Sequence, residues 1–262
     1  MDLKIDDHFE QGLNPIWDVK QIGQSTVRAE GGKLWMINQP GQTRYTDAQI
    51  ADYTYETFHF RWRPPVRMTV TAWASGAGAT LHGTAGFGFW NHPFSPDANR
   101  IPRLPQAIWF FHASSENNMA LCYDVPGCGW KAATLDTTRP AALAMLPFAL
   151  PAALLMRIPA VYARLFPPIQ RRLNVAEKLL DGNLLAQKHT YGIDWRADGS
   201  RFSIDGATVF ETPYAPRGPL GFVAWIDNRW AVVTPQGKLS FGLAPIEREQ
   251  SLILENVLIE TL

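Results

Sequence analysis

Two glycine-centred dipeptides, each set between runs of alternating residues, restrict this chain more than any other feature. Ser25-Thr-Val-Arg-Ala-Glu30 and Lys33-Leu-Trp-Met-Ile-Asn38 flank Gly31-Gly32, and Phe202-Ser-Ile204 and Ala207-Thr-Val-Phe210 flank Asp205-Gly206. Gly-Gly and Asp-Gly suit the two-residue turn with positive φ that joins antiparallel strands. Phe58, Phe60 and Trp62 alternate with His59, Arg61 and Arg63 up to Pro64-Pro65, which predicts a strand. Met68, Val70 and Ala72 alternate in the same way with Arg67, Thr69, Thr71 and Trp73. A period of two places each set on its own face of a sheet. Residues 85–91 and 107–113 are apolar but for Asn91 and His112 near their ends, as in strands covered on both faces, and Gly86 and Gly88 let a neighbour lie close to the backbone. Residues 221–226, 230–234 and 252–259 read as three further strands.

Residues 140–185 break this rhythm. Residues 141–156 are apolar and uncharged, shorter than the about 20 residues of a membrane span, and interrupted by Pro147 and Pro151. We therefore expect a helical insertion packed on the sheets with this run buried, and no transmembrane span. If exposed, the 141–156 run becomes a surface for self-association or peripheral membrane contact. Leu173, Ala176, Leu179 and Leu180 recur at helical spacing, predicting a helix from Ile169 to about Leu180 that Asp181-Gly182 ends.

The expected unit is a single domain over 1–262 with 140–185 inserted in it. Lys+Arg and Asp+Glu both number 24, so the formal net charge is zero, and a neutral chain makes no electrostatic case for nucleic acid. Cys122 and Cys128 are read as two small buried thiols, with a bridge across the turn-like Tyr123-Asp-Val-Pro-Gly127 as the alternative. The start, with Asp2, Asp6 and Asp7 and no apolar leader, reads as that of a cytoplasmic protein.

His189-Thr-Tyr-Gly-Ile-Asp-Trp195 followed by Phe202-Ser-Ile-Asp-Gly206 resembles a motif of the concanavalin A-like lectin/glucanase superfamily, closest to glycoside hydrolase family 16. The ending, Leu252 to Ile259, and the opening, Phe9 to Trp17, are similar to that family's too. The resemblance covers roughly residues 5–130 and 186–262 and is specific for fold rather than activity. It implies an all-β, antiparallel two-sheet jelly-roll sandwich whose concave face forms a glycan groove. The family's hydrolases carry E-x-D-x-x-E on one central strand, two carboxylates on one face that act as nucleophile and acid. This chain has no such motif: the counterpart strand reads Gly86-Phe-Gly-Phe-Trp-Asn-His92.

The expectation is a domain that recognises a carbohydrate or glycolipid-like small ligand without retaining hydrolysis. A binding face for sugar needs flat rings beside amides, imidazoles or carboxylates. The candidates are Trp90, Asn91 and His92 at one strand end, Trp109 and His112 on the next strand, and Trp225, Asp227, Asn228 and Trp230 around a turn. One alternative is an enzyme using His92, His112, Glu116 or Asp227 as acid/base; another is the membrane or oligomerisation module noted above. No metal site is expected among the histidines at 8, 59, 82, 92, 112 and 189, and no cofactor. Related sandwiches often hold a structural calcium, for which Asp6, Asp7 or Asn256 are the oxygen donors here. Glu247-Arg-Glu249 reads as an exposed turn, and the Gly-rich residues 75–79 as a loop without a P-loop lysine.

Overall fold

The computed structural model describes residues 3–41, 44–76, 80–93 and 103–262; of the expected Gly-rich loop, residues 77–79 lie outside the described ones. With strands numbered in chain order, the eight-stranded sheet runs β14 (Ala207–Thr212), β13 (Ser200–Ile204), β12 (His189–Trp195), β6 (Val66–Ala74), β18 (Gln250–Thr261), β4 (Leu34–Asn38), β3 (Ser25–Ala29). β1 (Lys4–Asp7) pairs with β18 off this path. The seven-stranded sheet runs β11 (Ala176–Leu179), β10 (Gly129–Asp136), β8 (Gln106–Ala113), β7 (Thr84–Trp90), β15 (Gly221–Asp227), β5 (Asp47–Ala51), β2 (Asp18–Ile22). Every pairing within these two sheets is antiparallel. A small third sheet joins β17 (Leu239–Leu243), β16 (Arg229–Val233) and β9 (Asn118–Met119). This is the jelly-roll sandwich with one helical insertion.

Both expected hairpins form, between β3 and β4 and between β13 and β14, and their turn residues sit at positive φ: Gly31 61°, Gly32 67°, Asp205 51° and Gly206 80°. Along β6, Val66, Met68, Val70 and Ala72 are fully buried, as the alternation requires. They face Ala85, Phe87, Phe89, Ile108, Phe110, Trp130 and Phe222 of the other sheet in one core. Rings interlock across it: Phe87 with Tyr191 at 5.2 Å, Phe89 with Trp195 at 5.4 Å, Phe110 with Phe202 at 5.5 Å.

Three expectations are corrected. Phe58, Phe60 and Trp62 are buried but form no strand; only Trp62 bridges, to Leu220. The helix expected over 169–180 lies earlier: α3 spans Pro159–Arg172 with Pro167 and Pro168 inside it, and Ala176–Leu179 is strand. That strand pairs with the edge of β10, whose backbone groups would otherwise face no partner, so a ladder overrides the helical spacing. The rest of the insertion is α1 (Pro140–Leu143), a 3-10 turn (Leu146–Phe148), α2 (Ala149–Leu155) and a second 3-10 turn (Gly182–Ala186). Its uncharged run is not buried: Leu146, Phe148, Leu150, Leu154 and Leu155 are exposed, while Ala142, Met156 and Phe166 anchor it.

The insertion leaves the sandwich after Asp136 and reaches segments from the opposite end of the sheet. The Arg157 guanidinium donates to the Gln236 carbonyl (3.4 Å), the Gln170 side chain accepts from the Tyr123 N–H (2.9 Å), and the Tyr123 and Tyr162 rings meet at 5.2 Å. No helix of the described residues is long and apolar enough to cross a membrane. Cys122 is buried, Cys128 half-buried, and both are free thiols.

Candidate functional site: an aromatic face on the seven-stranded sheet

Ladder register fixes what the outer face of the seven-stranded sheet presents. On β7 the core takes Ala85, Phe87 and Phe89, so Thr84, Gly86, Gly88 and Trp90 face outward. On β8 the core takes Ile108 and Phe110, so Ala107, Trp109, Phe111 and Ala113 face outward. One row across the sheet reads Lys131, Phe111, Gly86, Trp225, Gln49, Lys20. The row beside it reads Ala133, Trp109, Gly88, Val223, Ala51, Asp18.

Glycine on the middle strand lets the large rings meet. A Cβ at Gly86 would stand 3.0 Å from the Trp225 ring and 2.3 Å from the Phe110 carbonyl, and one at Gly88 would stand 2.5 Å from Trp109 Cα. Over this floor the rings form a continuous shelf. Trp109 lies 5.5 Å from both Trp90 and Trp225 and is stacked at 5.4 Å on Phe111. Trp90 and Trp109 are half-buried, whereas Trp225 and Phe111 are buried beneath their neighbours. Trp90 also packs at 4.7 Å on His92, which stacks on Phe58 at 5.5 Å and meets the Tyr55 edge at 4.7 Å.

Polar groups edge the shelf. Tyr55 bonds the Gln49 amide and carries the Lys20 ammonium over its ring at 4.7 Å. At the other end Asp227 stands directly opposite Asp47 in the β15–β5 ladder. Asp227 Oδ1 accepts from the Thr84 hydroxyl (2.7 Å) and from the Thr84 and Arg229 N–H groups (3.2 Å each). Burial first, then the opposing carboxylate, raises Asp47 well above the ordinary carboxylate range; burial raises Asp227 too, so the pair holds a proton into higher pH. On the far side of Phe111, Lys131 and Glu177 form a buried ion pair (3.4 Å); burial raises the Glu177 carboxyl and Lys131 partly offsets that.

Of the residues singled out in the sequence, Trp90, His92, Trp109, Trp225 and Asp227 share this outer face. Four do not. His112 has the parity of Ile108 and Phe110 and turns inward, its Nε2 at 3.0 Å from the Leu81 carbonyl; burial holds its imidazole below the ordinary value. Asn91 has the parity of Phe89, and its side chain clamps the chain by donating to the Leu104 carbonyl and accepting from the Gln106 N–H. Asn228 is fully buried and ties Arg44, Thr46 and Ala244 together. Trp230 lies in the β16–β17 hairpin, its ring filling the space over Gly242. Glu116 is also away from the shelf, 3.1 Å from His82; burial would raise its carboxyl, but hydrogen bonds from Ser114, its own N–H and His82 outweigh that and lower it.

The sequence reading passed over Phe111, Asp47 and Gln49. The alternation of Asp47 and Gln49 with Ala48 and Ile50 was the available signal, since polar residues at period two beside a buried pair mark the open face of a strand. The calcium donors considered have protein partners: Asp7 accepts from the Trp17 indole (2.7 Å), Asp6 pairs with Lys4 (2.9 Å), and Asn256 contacts His8 (3.3 Å). Among the described residues no group of three or more His, Cys, Asp or Glu is placed to hold a metal. Glu249 bonds Gln39 on the surface, as an exposed turn residue should.

No protein-family model matches the chain, and no curated protein matches it. Solved structures do match in fold. An endo-acting O-glycanase of the human gut microbiota superimposes with TM-score 0.54 at 9% identity, covering 98% of this chain and 98% of that one. A pseudo β-1,3-glucanase of Mycobacterium tuberculosis gives 0.53 at 10% identity, again with 98% of both chains covered. A laminarinase from Flavobacterium sp. UMI-01 gives 0.52 at 12% identity over 97% of this chain and 98% of that one. The chain thus shares the two-sheet jelly-roll fold of these structures.

Proposed function

We propose that this chain is a glycan-recognising domain whose ligand lies on the outer face of the seven-stranded sheet. The observation that carries the reading is the shelf itself, with the Trp90 and Trp109 indoles half-open to solvent and set on a glycine floor. A pyranose offers an apolar C–H face that stacks on an indole and a hydroxyl rim that needs polar neighbours. Here the rim groups are His92, Tyr55, Gln49 and Lys20. Glycan-active proteins with this fold support the choice of ligand class.

The same strands support a reading of binding without retaining hydrolysis. The outward positions of β7 and β8 hold Thr84, Gly86, Gly88 and Trp90, and Ala107, Trp109, Phe111 and Ala113. None can form a glycosyl-enzyme ester or protonate a leaving oxygen as the retaining mechanism demands. A second reading, enzymatic, rests on Asp47 and Asp227. Two buried carboxylates in ladder register, both holding their protons to higher pH, are the material of an acid/base pair.

One titration series tests both. Purified protein is mixed with laminarin or mucin-type O-glycans, and tryptophan emission and new reducing ends are followed together. The binding reading expects saturable emission change that Trp109→Ala abolishes, with no reducing ends. Release of reducing ends that Asp227→Asn removes supports the enzyme instead. No emission change with either glycan class ends the binding reading.

A further inference from the structure

Residues 137–176 carry Arg139, Arg157, Arg164, Arg171 and Arg172 and no Asp or Glu, in a chain whose total charge is zero. Arg157, Arg164, Arg171 and Arg172 are exposed and have no carboxylate within ion-pair distance among the described residues; only Arg139 is paired, with Asp136 at 2.9 Å. The same segment exposes Leu146, Phe148, Leu150, Leu154, Leu155 and Ile158. A second apolar strip lies beside it. Val233, Leu239 and Phe241 are exposed on one side of the β16–β17 hairpin, where ladder register makes Val233 the partner of Leu239. The hairpin tip touches the insertion, with Arg157 bonded to Gln236 and a Cβ at Gly237 falling 3.5 Å from Ala153.

From this juxtaposition we propose that the insertion and the adjoining hairpin dock on the surface of an anionic lipid bilayer. A contiguous apolar patch of this kind is rare on a soluble monomer and has to be covered by something. Exposed leucines and a phenylalanine suit the boundary between headgroups and acyl chains, and unpaired arginines suit lipid phosphates. Charge selects the lipid over a second copy of the chain. A two-fold interface would set these arginines against their own equivalents, with no carboxylate in the segment to receive them. The insertion lies on the surface and does not span: its longest helix, α3, has 14 residues and carries Arg164, Arg171 and Arg172. This inference is independent of whether the aromatic shelf binds glycan.

The test is co-sedimentation of the full chain with extruded vesicles, either phosphatidylcholine alone or an equal mixture with phosphatidylglycerol. Phe148 and Leu150 are 68% and 72% exposed, so Phe148→Ser with Leu150→Ser leaves the core untouched, which an unchanged melting temperature verifies. The expected result is binding to mixed vesicles, weaker by about tenfold or more on phosphatidylcholine and weakened by salt. It should fall about tenfold or more in the Phe148/Leu150 variant and in Arg164→Gln with Arg171→Gln. No binding to mixed vesicles overturns the proposal, as does binding that neither variant weakens. A concentration-dependent dimer that the Phe148/Leu150 variant disperses, without vesicle binding, assigns the face to self-association instead.

Discussion

Asp47 and Asp227 stand opposite each other across two strands, both buried, and the proton they retain has a consequence for stability. Burial favours the neutral acid, so their folded-state affinity for a proton exceeds that of an unfolded Asp near pKa 3.9. Their stabilising contribution is present below about pH 4 and is lost as pH rises through the folded values. Asp52, pushed up to about 6 by burial, has the same sign. Asp47→Asn removes one of the two titrations, since an amide takes the place of the neutral acid and leaves Asp227 without an opposing charge. Urea unfolding should show the variant near wild type at pH 4 and gaining about 1–3 kcal/mol relative to it by pH 8. A relative loss at pH 8 would contradict the assignment. Gly86 makes a second residue-scale case. Its missing Cβ leaves the space for the Trp225 ring and the Phe110 carbonyl, so Gly86→Ala should cost about 1–3 kcal/mol and shift tryptophan emission as the shelf moves.

Among the elements, hairpins are governed locally and the insertion is not. The turn between β13 and β14 places Asp205 and Gly206 at positive φ with nothing within 4 Å of a Cβ at Gly206. Gly206→Ala therefore isolates the backbone conformation from packing and should destabilise by about 1 kcal/mol in a denaturant titration, with no change in emission maximum. The insertion behaves otherwise. Its end becomes strand because β10 offers an edge, and its middle stays exposed because within residues 141–172 only Ala142, Met156 and Phe166 are buried.

The whole molecule is a two-sheet jelly-roll sandwich whose middle strands β7 and β8 turn rings and glycines outward. Incubation with laminarin or lichenan should release no reducing ends by a retaining route, because β7 and β8 present no carboxylate outward. Release with retained anomeric configuration would refute this. Two faces of the molecule are then unspent for packing: the aromatic shelf, proposed for glycan, and the arginine-edged apolar insertion, proposed for lipid. They are joined through one cluster, since Leu173 and Val175 at the end of the insertion pack in the group that Trp90 and Trp109 lean on.

What the amino-acid order settled alone was local. Gly31-Gly32 and Asp205-Gly206 specify their turns because few residues tolerate positive φ, and the alternation from Val66 to Ala74 specifies a strand with one core face. The phrases around His189–Trp195 and Phe202–Gly206 carried the fold class as well. Period two says which residues share a face but not which face meets the other sheet. His112 and Trp109 were therefore equal candidates until the packing of Phe110 sent His112 inward and left Trp109 out. Asn91 and Asn228 became clamps, and Asp47 became the partner of Asp227, through neighbours far away in the chain. Ala176–Leu179 kept helical spacing yet became strand for the same reason. Pairing partners, and the amount of core available to cover an apolar run, are properties of the assembled sheets, and only the tertiary structure decides them.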